Sequence, residues 1–167
     1  MIILGIDPGY AIVGYGAVRY ECNQFKPIEY GAVTTPAGME FTSRLEMIYD
    51  GITDILSRLK PDAMSVEKLF FNTNTTTAID VAEARGVILL AGKKACVPVF
   101  EYTPLQVKQA VTGYGKADKK QVMEMTKMLL KLEKVPKPDD TADALAMAIC
   151  HAHSAGSLLG KLNLSTK

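Results

Sequence analysis

Apolar and polar positions follow two different periods along the chain, and the switches between them outline its elements. Ile2 to Ile6 is an apolar, branched run stopped by Asp-Pro-Gly, which predicts a buried strand followed by a turn. Residues 12–19 (IVGYGAVR) predict a second strand, thinned by Gly14 and Gly16, and residues 28–34 (IEYGAVT) a third. The short gaps between the three predict an antiparallel meander. Over residues 42–59 the period becomes helical: Leu45, Ile48, Ile52, Ile55, Leu56 and Leu59 share one stripe, with Thr42 as N-cap and Pro61 beyond the end. Ala63 to Val66 predicts a short strand ending at Glu67. The polar stretch NTNTTT (72–77) caps a long helix running through Lys94. Gly86 inside that helix costs ~1 kcal/mol against alanine, so close packing on a neighbour is expected there. Val97 to Tyr102 predicts a strand. Thr103-Pro104 predicts a helix start, with an end near Gly113. Asp118 caps a further helix to about Leu132, and after EKVPKPDD the pair Asp139-Asp140 opens a last helix, TADALAMAICHA. The tail after Ser154 is small, polar and basic, and is expected to be loose. The order β-β-β-α-β-α-β-α-α-α argues for an α/β protein with a central mixed sheet flanked by helices.

The 167 residues suit one domain, with 48% hydrophobic and 22% charged positions, which excludes disordered and fibrous classes. Cys22, Cys96 and Cys150 are odd in number and widely spaced, which argues against a disulfide scaffold and for a reducing compartment. The apolar start lacks a basic flank and meets Asp7, unlike a signal peptide, and no uncharged apolar run is long enough to span a bilayer. A soluble, cytoplasmic protein with no membrane partner is the expectation. Net charge is +1, but it is unevenly spread: residues 1–103 carry −3, residues 104–137 carry +5 with lysine as every basic residue, and residues 138–167 carry −1. A basic segment beside an acidic remainder suits a bound polyanion; it also suits a solvated helix face.

Four acids stand out by position. Asp7 and Glu67 end two strands, and ligands bind at the carboxyl ends of parallel strands in open α/β sheets. If those strands are neighbours, the two carboxylates converge. Asp140 and Asp143, three apart near a helix start, share a face, while Asp139 is expected to point elsewhere. Each has a structural use too, in capping, in the helix dipole or in a turn. Glu67 is the most telling, because it sits between the apolar AMSV and LFF. Several carboxylates in one place repel each other unless a cation joins them, and an all-oxygen set suits Mg²⁺ or Mn²⁺. Such ions activate water against phosphodiesters. The lysines then point to a nucleic-acid substrate.

These residues lie in motifs that resemble the RuvC family of bacterial Holliday-junction endodeoxyribonucleases: GIDPG (5–9) with GYG (14–16), SRL (43–45), VEKLFF (66–71), ARGV (84–87), PVFEYTPLQVKQAVTGYG (98–115), LLKL (129–132) and DDTADALAMAICH (139–151). They occur in family order and spacing from residue 2 to about 153. The resemblance implies one ribonuclease-H-like nuclease domain over residues 1–153 with a five-stranded sheet, followed by the tail 154–167. It implies a homodimer that makes paired, symmetric nicks in four-way DNA junctions during recombination and repair, leaving 5′-phosphates and ligatable ends. It further implies two Mg²⁺ ions per subunit, with Mn²⁺ as a substitute, and the branch-migration proteins RuvA and RuvB as partners. The family's catalytic and metal-binding carboxylates fall on Asp7, Glu67, Asp140 and Asp143. Asp7 would bridge the two ions, Glu67 and Asp143 completing one shell and Asp140 the other.

Lys108 and Lys119 match family lysines, and Lys116 and Lys120 add nearby charge; lysine suits phosphate oxygens without reading sequence. Lys119 could alternatively neutralise charge at the scissile phosphate. Phe70 matches an aromatic used near the junction centre and is assigned to DNA stacking, with Phe71 in the core. Departures from the family are Lys68 after Glu67, where Gln or Glu is usual and where it could contact DNA, Tyr10 after DPG, and an acidic rather than basic stretch around Asp80 and Glu83. His151 and His153 read as polar helix-end residues, although a His assists the water in some nucleases of this fold. GYGK (113–116) lacks the upstream glycine and the Ser/Thr of a P-loop. Rival readings are an ATP-binding domain of the actin and sugar-kinase type, which needs two such domains and more chain, a non-catalytic junction binder, and an RNA-processing nuclease of the same fold.

Overall fold

Strand β1 (Ile2–Asp7) pairs antiparallel with β2 (Ile12–Glu21), and β2 pairs antiparallel with β3 (Gln24–Thr34), giving the meander expected from the short connections. The computed structural model describes residues 1–68 and 77–156. On its other edge β1 pairs parallel with β4 (Ala63–Glu67), and β4 pairs parallel with β5 (Val99–Tyr102), so the sheet order is β3-β2-β1-β4-β5. Helices α1 (Phe41–Leu59), α2 (Ala78–Lys94), α3 (Pro104–Thr112), α4 (Lys119–Leu129) and α5 (Asp139–Gly156) complete the described chain.

The pleat divides the core in two. Leu4 and Ile6 of β1, with Met64 and Val66 of β4, pack under Ile48, Ile52 and Ile88 of α1 and α2. Ile3 packs on the opposite face with Leu145 and Ile149 of α5, Val107 and Val111 of α3 and Val122 of α4. Side chains two apart on a strand share a face, so Asp7 joins Ile3 and Gly5 on the side that α5 covers, and Glu67 joins Ala63 and Ser65 there.

Small residues let α5 lie that close. A Cβ on Gly5 would collide with the Ala144 carbonyl oxygen and the Ala148 nitrogen, and one on Gly14 with the Asp140 carbonyl. Gly14, opposite Asp7 in the β1–β2 register, therefore thins the strand for a purpose: it is the seat of the first turn of α5.

Several boundaries differ from expectation. β3 begins at Gln24 instead of residue 28, and β5 begins at Val99 instead of residue 97. The extra turns of β2 and β3 pair through Tyr20–Phe25 beyond the apolar run, because ladder bonding does not need it. Thr42 is not the N-cap of α1: Glu40 holds that position, and its carboxylate accepts from the Thr42 and Ser43 hydroxyls, which lie inside the helix. α4 stops at Leu129, three residues short, and Lys131 takes a positive φ. Thr103 and Asp118 do cap α3 and α4, each in a reciprocal capping box with the glutamine three residues on. α5 continues to Gly156, past the expected domain limit. Gly86 meets nothing within 4 Å in this chain, so close packing within the domain does not explain it. The proposed cap 72–76 and the residues Phe70 and Phe71 lie outside the described residues. Among the described residues, no helix is long and apolar enough to cross a membrane.

Candidate active site

Because β1 and β4 are adjacent and parallel, Asp7 and Glu67 finish side by side at one rim, as the sequence reading required. α5 starts over that rim. It contributes Asp143 to the same cavity and holds Asp140 one turn earlier, its carbonyl over Gly14. α3 and α4 close the third side. The cavity, about 210 Å³, is lined by Asp7, Glu67 and Asp143, by Lys108 and Lys119, and by an apolar wall that includes Val107, Val122 and Met147. Asp140 does not line it but is close enough for its charge to be felt by Asp7 and Asp143.

The electrostatics follow from packing acids together out of water. Burial first, then the charges of Glu67, Asp143 and Asp140, push Asp7 up to about 8. Burial and Asp143 also raise Glu67, which accepts a hydrogen bond from the Asp7 carboxyl. Burial raises Asp143, against the pull of Lys119. Lys119 Nζ lies 3.0 Å from Asp143 Oδ2 and 3.7 Å from Asp139 Oδ2. Burial alone would lower the Lys119 pKa, but Asp143, Asp139 and Asp7 more than offset it. No three acid, His or Cys side chains among the described residues form a finished ion cage, and Lys119 is the cation that answers the excess of negative charge. The ionisable donors are nonetheless of one kind: carboxylate oxygens whose mutual repulsion a hard divalent cation would relieve, with no cysteine or histidine among the lining residues.

Of the remaining predicted residues, Lys120 lines an adjoining cavity of about 390 Å³ with Lys119, Lys137 and Asp139. Lys116 is exposed on the loop between α3 and α4, and Lys68 is exposed just past Glu67, its amide bonded to the Tyr102 carbonyl. Asp139 does point away from the acid cavity, into the adjoining one. Its carboxylate lies between Lys119 and Lys137, the latter at 2.6 Å, because the Lys-Pro-Asp-Asp segment folds back beside the N-terminus of α4. Arg85 was legible only as part of a motif. In the structure its Nε donates to the Glu67 carbonyl at 3.1 Å and its guanidinium pairs with Glu101, tying the ends of β4 and β5 together.

His151 is not a helix-end residue. It is 3% exposed, its Nδ1 lies 2.8 Å from the Tyr102 hydroxyl, and its ring stacks against Phe100. Burial draws its pKa down to about 4, so the fold holds it neutral. That contribution to stability is complete above about 6.5, the value of a free imidazole, and is lost as the pH falls through about 4. His151→Phe should therefore show a shallower acid limb than wild type in denaturant titrations between pH 7 and pH 4. The difference between the proteins should change by roughly 3 kcal/mol across that range. Parallel limbs would assign the acid sensitivity to other groups. His153 is exposed and accounted for by the Ala110 carbonyl at 2.9 Å and an edge contact with Phe25.

A mixed sheet of this order with acids gathered from β1, β4 and α5 defines a ribonuclease-H-like protein. The sequence matches the family described as crossover junction endodeoxyribonuclease RuvC over residues 3–151, and the chain belongs to that family. It is 60% identical over 154 residues to the crossover junction endodeoxyribonuclease RuvC of Alkaliphilus metalliredigens, covering 92% of this chain and 94% of that one. It is 62% identical over 154 residues to the protein of the same description from Clostridioides difficile, covering 92% and 91%. Among solved structures, T. thermophilus RuvC in complex with Holliday junction substrate aligns with a TM-score of 0.87 at 34% identity, covering 95% of this chain and 98% of that one.

Proposed function

We propose that this protein is a structure-selective DNA endonuclease that resolves Holliday junctions. The observation that carries the reading is the convergence of Asp7, Glu67 and Asp143 in one cavity rimmed by Lys108 and Lys119, with Asp140 beside it. Family membership supplies the substrate, and the cavity supplies chemistry that fits it.

Asp7, Glu67, Asp140 and Asp143 are the residues that would hold two Mg²⁺ ions. Bound there, the ions would lower the pKa of an attacking water and stabilise the departing oxygen of the phosphodiester. The chain's own contributions can be stated separately. Asp7, Glu67 and Asp143, all raised by burial, would have to be deprotonated to hold a cation, so loading would be coupled to proton release. Lys108 and Lys119 offer point charges to the phosphate, and the apolar wall of Val107, Val122 and Met147 limits the water around it. Lys116, Lys120 and Lys68 are exposed, Lys120 in the adjoining cavity and Lys68 next to Glu67, and would extend a positive path for a DNA strand. Phe70, outside the described residues, is assigned to a base opened at the crossover on family resemblance alone.

Two sites facing one two-fold substrate call for a homodimer. The outer face of α2 supports it: Ile79 and Leu90 are 67% and 52% exposed, in line with Gly86, which is open to solvent. A second copy packed there would account for the glycine. Action on DNA and membership of a bacterial family support a cytoplasmic location, and engagement by RuvA and RuvB is proposed from family membership alone.

The test is incubation with a mobile synthetic four-way junction and with linear duplex of the same sequence. Cleavage of the junction alone, abolished by chelation and restored by Mg²⁺, is expected. Tight binding without a cut in either Mg²⁺ or Mn²⁺ would leave a junction-binding module instead.

A further inference from the structure

Next to the four acids stands a fifth, Asp139, that the proposed chemistry does not use. Its two oxygens face two lysines: Oδ1 is 2.6 Å from Lys137 Nζ and Oδ2 is 3.7 Å from Lys119 Nζ. Lys119 reaches in the other direction to Asp143, at 3.0 Å. The four side chains form one line, Lys137–Asp139–Lys119–Asp143, which runs from the adjoining cavity into the acidic one.

We infer that Asp139 is a positioning residue, holding the Lys119 ammonium at the rim of the acid cluster so that it meets the scissile phosphate, with Lys137 fixing the orientation of the Asp139 carboxylate. The inference rests on the junction-cleaving reading given above. Lys119 has two acidic partners, one of them a proposed cation ligand. A cation held by Asp143 would compete with Lys119 for its nearer partner. Without Asp139 its long side chain, 58% exposed, would be free to sample many rotamers. With Asp139 it keeps an anchor beside the phosphate.

Asp139 and Lys119 are both well exposed, so the pair contributes little to folding. DNA laid over the rim excludes water from it and strengthens the same contact where it matters. The device therefore acts on catalysis and not on stability, which makes it separable by experiment.

The test is a double-mutant cycle on full-length protein with a junction substrate under single-turnover conditions. Asp139→Asn should slow cleavage about tenfold, within the range of coupling between neighbouring charged groups. Junction affinity should stay within about twofold and the melting temperature should not move, as for other exposed pairs. Asp139→Glu should recover most of the rate. In a Lys119→Met background, Asp139→Asn should change the residual rate by less than about twofold, because its target is gone. An Asp139→Asn protein that cuts at the wild-type rate, or an effect that persists in full without Lys119, would overturn the inference while wild-type cleavage keeps the functional reading intact. Wild-type protein that binds junctions but cuts none would overturn the functional reading itself, and this inference with it.

Discussion

Asp7→Asn is expected to slow junction cleavage by about a thousandfold, the upper end of the loss when one preorganised electrostatic group is removed from an active site, while leaving junction affinity within about threefold. Asp7 is the most enclosed of the acids, at the end of the central strand β1, and the charges of Glu67, Asp143 and Asp140 all bear on it. Asparagine keeps its volume and removes the charge that a cation would answer. The phosphate contacts assigned to lysines on α3, α4 and the loop between them are untouched, so binding should persist. The same substitution has a second signature in chelator. The Asp7 pKa is raised to about 8, so the folded protein holds a proton that the unfolded chain releases near the usual carboxylate value. Its contribution is therefore fully present in acid and is lost as the pH rises toward 8. Ion-free wild type should lose melting temperature across that window, Asp7→Asn should lose less, and Mg²⁺ should stabilise wild type more at the alkaline end. Wild-type rates in the variant would remove Asp7 from the chemistry.

Gly14→Ala should be damaging for a different reason. The added methyl would overlap the Asp140 carbonyl, which belongs to the backbone of α5 and cannot swing aside. Overpacking of this kind costs about 1–3 kcal/mol, and a loss near the upper limit would lower the melting temperature by roughly 10 °C. What stability survives does so by lifting the N-terminus of α5 from the sheet, which carries Asp140 and Asp143 away from Asp7 and Glu67. A shift of ~1 Å at reacting groups can cost about a hundredfold, so cleavage should fall by at least that much even in protein that remains folded. Calorimetry and single-turnover cleavage on the folded fraction measure the two effects. A variant as stable and as active as wild type would show that α5 does not sit where the structure has it.

Much of this arrangement is written in local signals. Asp-Pro-Gly stops β1 at Asp7, Glu67 closes the apolar run of β4, and Thr103 and Asp118 announce the helices that carry the lysines. Asp140 and Asp143 were legible as an i, i+3 pair. What stayed hidden depends on tertiary approach. The role of Gly14 exists only because α5 crosses it, and its pairing with Asp140 joins residues far apart in sequence. His151 looked like a polar residue near a helix end, because nothing local announces that Tyr102 and Phe100 enclose it. Helix geometry correctly points Asp139 off the Asp140–Asp143 face, but not to its partners; the lysines that meet it come from α4 and from the loop before α5. A basic residue two positions before the acids, Lys137, was the one hint available.

The most direct test of the central claim is to label each of the four strands of a mobile junction in turn and map the cuts made by wild-type protein in Mg²⁺. The account predicts two nicks, placed symmetrically in opposing strands and bearing 5′-phosphates that ligase can seal, with linear duplex left intact. Cuts confined to one strand, or duplex cut as readily as junction, would contradict it.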